Sequence, residues 1–407
     1  MQSLLILGRQ PELGLAELAS LYGPATVSRP ANDVAVVDVD PCLLAFDRLG
    51  GSQKFAKILT VLETTDWQKI EDFLVTSAPE QAEKVPSGKL TIGLSTYGFN
   101  IDVSAIRATG LKLKRAILAS DRSVRIVPNN NQVLNSAQVS HNRLTSEKGW
   151  ELLFIRSEQK TYIAQTVKVQ AIDSYRKRDQ ARPYRDAKVG MLPPKLAQII
   201  INLASGELAE SQLTNICEVD GNKPLNLDQT ILDAFCGSGV VLQEALLMGY
   251  NVIGSDISPK MVDYSQKNLL WLASNRQLAT TSKVLTADAT SNRWDSFDFV
   301  ATEVALGLPL SHVPVQSELL KLIATADKLL SGFLTNLAKQ TKVGLRLCIA
   351  IPAWQTSKDH FTSLPMIDHL SNLGYNLLDF KHIGTEQLIY YRPDQIVGRQ
   401  LLVMVRN

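Results

Sequence analysis

Three stations between residues 233 and 289 carry the residue types best suited to holding a small ligand. The first is Asp233-Ala-Phe-Cys-Gly-Ser-Gly239, where glycines follow an apolar, strand-like run. Glycines at such a place let the backbone turn sharply into the next helix and approach a ligand closely. Asp233, at the strand's end, can meet the cationic end of a bound amino acid. The second station is Asp256, 23 residues further on. An acidic residue about 20 residues beyond a glycine loop accepts hydrogen bonds from ribose hydroxyls. The third is Ala287-Asp288-Ala289, where a carboxylate can accept from an adenine exocyclic amine.

A nucleoside with a charged amino-acid tail and no phosphate suits all three stations, and S-adenosyl-L-methionine is such a ligand. The Gly-x-Gly spacing lacks the third glycine of the dinucleotide fingerprint, so a nicotinamide dinucleotide is the less favoured alternative. The cofactor set is then Asp233, Phe235, Gly237, Gly239, Asp256, Ile257, Asp288 and Ala289. Cys236, inside the loop, reads as a buried neighbour of the cofactor and not as a nucleophile. The histidines, His141, His312, His360, His369 and His382, do not stand at metal-ligand spacing. Cys42, Cys217, Cys236 and Cys348 form no Cys-x-x-Cys pair. No metal site and no disulfide framework are expected.

The elements around these stations read as two blocks with a joint. From Lys195 to Asn407, strand patterns (Thr230–Phe235, Asn251–Asp256, Ser282–Thr286, Phe297–Ala301, Arg346–Ala350) alternate with helical ones. That order predicts a doubly wound parallel α/β sheet over residues 195–407. The first block opens with a strand at Ser3–Gly8, a helix at Pro11–Leu21, a strand at Asp33–Val39, a helix at Leu43–Leu49 and a strand at Lys54–Leu62. This suits an α+β, ferredoxin-like domain over residues 1–80. A second α+β domain over 81–172 follows, with strands at Leu90–Ser95, Val124–Val127, Glu151–Ile155 and Thr161–Thr166 and a basic helix at Ser104–Ala119. The joint, 173–194, is polar and proline-punctuated. It reads as a solvated linker or as one wall of a groove between domains.

No apolar run approaches the ~18–20 residues that span a bilayer, and the N-terminus lacks the basic lead of a signal peptide, so a cytoplasmic protein with reduced thiols is expected. Net charge is only +2, but residues 1–190 carry 25 Lys and Arg against 20 Asp and Glu. One basic cluster comprises Arg107, Lys112, Lys114, Arg115, Arg122 and Arg125; the other is Arg176, Lys177, Arg178, Arg182, Arg185 and Lys188. Such clusters are either solvated helix faces or contacts for a phosphate backbone. Tyr184 and Trp354 could stack on a base or serve packing.

These residues carry a family resemblance over nearly the whole chain. The sequence resembles the THUMP-containing tRNA guanine-N2 methyltransferases, which act in the D-arm region. Leu5–Leu18 and Leu49-Gly-Gly-Ser-Gln-Lys54 are similar to the family's N-terminal ferredoxin-like domain. Residues from about 91 to 166 resemble its THUMP domain, a tRNA-binding module. Arg178-Asp-Gln-Ala-Arg-Pro183 is close to its Arg-Asp-x-x-Arg-Pro linker, and Asp233–Ala245 and Gly254–Val262 are close to its first two methyltransferase motifs. The resemblance implies S-adenosyl-L-methionine as cofactor, tRNA as partner, and substrate contacts from Arg178, Asp179, Arg182 and Leu306. Whether a small partner subunit joins is left open.

One station departs from the family. Amino-methyltransferases of this kind carry Asp/Asn-Pro-Pro-Tyr/Phe after the fourth strand, and this chain has Thr302-Glu-Val-Ala-Leu-Gly307. The family motif offers an acceptor for the exocyclic amine and a ring for the flipped base. Glu303 can still accept a hydrogen bond and is the candidate catalytic residue. Leu306 pads a base without offering a π-face. Three readings follow: a variant amino-methyltransferase with Glu303 in the acceptor role, methylation of a different base atom, or a protein that binds cofactor and RNA with little turnover.

Overall fold

The computed structural model describes residues 2–186, 191–209, 212, 226–307, 310, 312–357, 360–381, 383–393 and 395–407; Lys188, Cys217 and His382 lie outside these. Two compact units emerge. The first comprises Met1–Pro11, Ala25–Asp47 and Ser52–Ile172, and the second Glu12–Pro24, Arg48–Gly51 and Asp173–Asn407.

One eight-stranded sheet runs through the first unit. Its strands are β1 (Ser3–Leu7), β2 (Val27–Ala31), β3 (Val34–Val37), β4 (Ser52–Leu62), β5 (Leu90–Tyr97), β6 (Val124–Ile126), β7 (Gly149–Ser157) and β8 (Lys160–Val169). They lie in the order β2-β3-β1-β4-β8-β7-β5-β6. The expected boundary at residue 80 falls inside a helix, Trp67–Glu83. That helix and Val103–Leu118 bury Ile70, Leu74, Ile106 and Leu113 against Ile92, Leu94 and Phe154 of the sheet. The expected helix at Leu43–Leu49 is instead two short 3-10 turns, Pro41–Leu43 and Phe46–Arg48. Strand β2 carries no sequence signal, because Val-Ser-Arg-Pro-Ala is polar and contains a proline; an edge strand tolerates both. Inside the unit, Glu151 accepts from Lys54, from the Ser95 hydroxyl (2.7 Å) and from the Thr166 hydroxyl (2.7 Å), and Lys54 also donates to the Leu134 carbonyl, so hydrogen bonds support this buried ion pair on both sides.

The second unit is built on a nine-stranded sheet. β9 (Thr230–Asp233), β10 (Asn251–Asp256), β11 (Ser282–Thr286), β12 (Phe299–Glu303) and β13 (Arg346–Ser357) are parallel, in the order β11-β10-β9-β12-β13. β14 (His360–Thr362), β15 (Tyr375–Leu377), β16 (Ile389–Tyr390) and β17 (Val397–Arg406) complete it, with β17 antiparallel to β13. The strand order turns back between β9 and β12. In open sheets of this kind, ligands bind at such a switch point, beyond the carboxyl ends of the strands. The parallel α/β expectation describes β9 to β13, whereas β17 enters the sheet antiparallel.

In chain order the helices are α1 (Pro11–Tyr22), α2 (Trp67–Glu83), α3 (Val103–Leu118), α4 (Ser136–His141), α5 (Ile172–Gln180), α6 (Pro194–Ser205), α7 (Val240–Leu247), α8 (Pro259–Asn275) and α9 (Gln316–Ala338). The joint is not a bare linker: it contains α5 and belongs to the second unit from Asp173 on.

A buried polar knot ties the early residues of this unit to α6. Glu17 on α1 accepts from the backbone N–H groups of Gly50 and Gly51, each at 2.9 Å, and from the Asn202 side chain at 2.7 Å. Arg48 donates to Asn202 at 2.9 Å and to the Tyr250 hydroxyl at 2.8 Å. The two glycines are needed for close approach. A Cβ at Gly50 would lie 1.9 Å from the Lys195 carbonyl oxygen, and one at Gly51 would lie 2.5 Å from the Gly14 Cα. Replacing Glu17 with Ala leaves two backbone donors and an amide without their acceptor. We expect a loss of about 3 kcal/mol or more in urea-unfolding free energy, with Gly50→Ala at least as severe.

Candidate functional site

The site begins where β9 ends. Asp233 is its last residue and is 1% exposed. Thr302 on β12 donates its hydroxyl to this carboxylate at 2.6 Å, and the Phe235 N–H donates at 3.4 Å. Burial lifts the Asp233 carboxyl to about 7 against these hydrogen bonds, and the nearby charges of Asp256 and Glu303 push it the same way. The chain then turns through Gly237 (φ +49°) and Gly239 (φ +84°) into α7. A side chain at 239 would meet Ser265 Oγ at 2.5 Å, so glycine is required there; a Cβ at 237 would meet nothing within 4 Å.

Asp256 closes β10 and accepts from the Gly237 N–H at 3.0 Å and the Ser258 N–H at 2.9 Å. The glycine loop and the second station are therefore one assembly. Asp288, beyond β11, accepts from the N–H (2.8 Å) and hydroxyl (2.7 Å) of Thr290, which hold its carboxyl below the usual range. Phe235 sets its ring edge-on to Phe333 of α9, 5.1 Å away. Burial, with the charges of Asp233 and Asp256, pushes the Cys236 thiol well up, so it is no ready nucleophile.

These residues surround a cavity of about 490 Å³, a size ordinary for a small-molecule site. Asp233, Phe235, Gly237, Asp256, Ile257, Asp288, Ala289, Glu303 and Leu306 all line it, whereas Gly239 stands behind the loop as the cap of α7. Ile257 is 71% exposed at the rim, an apolar surface with nothing of the protein over it. Lys260 and Asp186, which sequence reasoning missed, also line the cavity and pair with each other at 2.8 Å.

Thr302 and Glu303 belong to the end of β12 and not to the loop after it, and Glu303 lines the cavity. Glu303 accepts through Oε1 from Arg399 Nε on β17, a partner that sequence reasoning also missed. The signal was slight: Arg399 is a charge ahead of the apolar run Leu401–Val405 in the final strand. Arg178 and Asp179 on α5, and Arg182 beyond it, do not line the cavity. Arg178 pairs with buried Glu244 of α7 at 2.7 Å and stacks on Tyr175 at 4.4 Å. Arg182 is 3% exposed, and its Nε and Nη2 have no acceptor among the described residues. Trp354 is in the core, and Tyr184 packs on Tyr264 at 5.0 Å.

A sheet of parallel strands with a glycine turn and carboxylates at its switch point defines a nucleotide-type cofactor domain, and comparison with known proteins gives its class. Residues 231–328 match a family described as methyltransferase domain, and residues 116–267 one described as DNA methylase. The second unit thus contains a methyltransferase domain, whose cofactor is S-adenosyl-L-methionine. A curated relative, the tRNA (guanine(10)-N2)-dimethyltransferase of Methanothermobacter thermautotrophicus, is 29% identical over 177 residues, 43% of each chain. The crystal structure of TrmN from Thermus thermophilus aligns over 100% of both chains with a TM-score of 0.50 and 14% identity, a likeness of fold. No helix among the described residues is long and apolar enough to cross a membrane.

The donor set fits this cofactor. The cavity is rich in carboxylates, and Lys260, the one lysine lining it among the described residues, is already paired, so it favours a cationic ligand over a pyrophosphate. Asp233 would take the ammonium of the methionine moiety, Asp256 the ribose and Asp288 the adenine edge. Because only ionised Asp233 attracts an ammonium, S-adenosylhomocysteine should bind more tightly as pH rises from 6 to 8 and level off above that. Asp233→Asn should weaken binding by about 1.5–3 kcal/mol and flatten this dependence, as calorimetry across that range can check.

Proposed function

We propose that the chain is an S-adenosyl-L-methionine-dependent tRNA methyltransferase that forms N2-methylguanosine in the D-arm region, acting in the cytoplasm. The observation that carries this reading is Glu303. It is a carboxylate at the end of β12, on the wall of the cofactor cavity, in a chain that shares 29% identity over 177 residues with a tRNA guanine-N2 dimethyltransferase. The exocyclic amine of guanine is a poor nucleophile, because its lone pair is delocalised into the ring. A carboxylate that accepts one of its N–H groups turns the lone pair toward the methyl group. The cofactor supplies that methyl in an already activated form, so orientation is the protein's main contribution. As the N–C bond forms and the S–C bond breaks, the amine loses a proton, and Glu303 is placed to receive it. Leu306 would pad the flipped base.

In this reading the first unit, with its ferredoxin-like and THUMP portions, holds the tRNA through its backbone and presents one guanosine. Support on the second unit comes from Arg182 and Arg185, which line a further cavity of about 470 Å³. Arg185 is exposed and would meet a phosphate, whereas the buried Arg182 would shape the wall of that cavity. Arg178, already committed to Glu244, would act by fixing α5 and not by touching RNA.

A second reading, cofactor and tRNA binding with little turnover, is favoured by one observation: Glu303 is already engaged by Arg399 and no proline pair or aromatic ring follows it. Transfer of tritiated methyl from the cofactor to bulk tRNA separates the two. We expect incorporation into guanosine, identified by mass spectrometry of nucleosides, and a fall of about 100-fold in Glu303→Gln. Binding of tRNA without incorporation would favour the second reading. Methylation at another base atom would retain the enzyme and reject the guanine-N2 assignment.

A further inference from the structure

Arg399 sits where an arginine is costly. It is 5% exposed in β17, beside Leu401, Leu402, Val403 and Met404, all buried, and opposite Pro352 of β13 and Tyr390 of β16. An apolar residue would fill a strand interior with no desolvation penalty, so a buried guanidinium calls for a partner. Two are present in the second unit. Nε donates to Glu303 Oε1, and Nη2 donates to the Met191 carbonyl at 3.4 Å. Arginine is the side chain able to do both, because its planar fork presents donors in fixed directions. The other oxygen, Glu303 Oε2, receives no hydrogen bond among the described residues, and Glu303 lines the cofactor cavity.

We propose that Arg399 is a positioning residue for the methyl transfer: by holding Oε1 it fixes the plane of the Glu303 carboxylate and leaves Oε2 as the acceptor for the substrate amine. This rests on the reading of Glu303 as that acceptor. The Met191 carbonyl anchors the far side of the guanidinium, so Arg399 cannot swing away with the carboxylate. The same pair sets the charge of the site. Glu303 is faced by Arg399 from β17 and by Asp233 from β9. Burial raises the Glu303 carboxyl, and Arg399 opposes that rise. Without Arg399, burial drives Glu303 to take up a proton. A protonated carboxyl would then offer a donor where the amine needs an acceptor.

Two measurements on the full chain test this. In protein carrying ¹³C-labelled glutamate, the Glu303 carboxyl signal is identified by its loss in Glu303→Gln. It should titrate at higher pH in Arg399→Gln than in the natural protein, and in between in Arg399→Lys. Single-turnover methyl transfer to tRNA should fall about 10- to 100-fold in Arg399→Gln, with an acid limb moved to higher pH. Affinity for S-adenosylhomocysteine should stay within about twofold, since Arg399 does not line the cavity, and Arg399→Lys should recover part of the rate. Coincident Glu303 titrations in all three proteins would overturn the proposal, as would an unchanged transfer rate. If the natural protein transfers no methyl to tRNA, the functional reading fails, yet the titration still judges Arg399. Should Arg399→Gln not fold, Arg399→Lys carries both comparisons, because it keeps the charge but lacks the second prong.

Discussion

Two carboxylates end neighbouring parallel strands, and the second unit must tolerate both. Asp233 and Glu303 close β9 and β12, where the sheet reverses its order, and the Glu303 charge raises the cost of ionising Asp233. The surrounding structure relieves this locally. Thr302 and a backbone N–H serve Asp233; Arg399 serves Glu303; two further N–H groups serve Asp256 nearby. None of these partners is itself a negative group, and most are neutral dipoles fixed by the strands that carry them. These partners oppose the rise that burial imposes on both carboxyls without cancelling it, so a bound cation would favour their ionised forms. A pocket of that character selects a cationic ligand, which is the property a sulfonium cofactor demands.

Much of this site was legible in the sequence because its chemistry is local. A glycine turn after a buried strand, and an acid at the end of each of the next two strands, are short-range patterns with one backbone explanation each. What escaped was the partner set. Thr302 and Arg399 meet Asp233 and Glu303 across 69 and 96 residues, and no periodicity announces a contact of that range. The same reason explains the joint. Its polar composition reads as solvated chain, yet Arg178 and Tyr184 find partners in α7 and α8.

In the first unit the alternating strands were legible and their pairing was not. β5 to β8 stand near their expected positions, but they share one sheet with β1 to β4 and do not form a separate one. Where the pattern misled, between Leu43 and Leu49, apolar residues at helical spacing end up in two tight turns. Asp40 caps the first by accepting from the Cys42 N–H, and two glycines follow the second. Helical spacing over so few residues does not outweigh chain-reversing neighbours.

The buried knot at Glu17 has a consequence for how the molecule is made. Its acceptor oxygens emerge from the ribosome 185 residues before the Asn202 amide that they bind. During that interval the Glu17 carboxylate can meet the Gly50 and Gly51 N–H groups and the Arg48 charge but not the Asn202 amide. The second unit is therefore discontinuous in synthesis as well as in sequence: its earliest helix must wait while β2 to β8 of the other sheet are produced in between. A fold closed by so long a loop is slow to nucleate, and a fragment begun at the joint would present α6 and Tyr250 with a vacant seat in place of a helix.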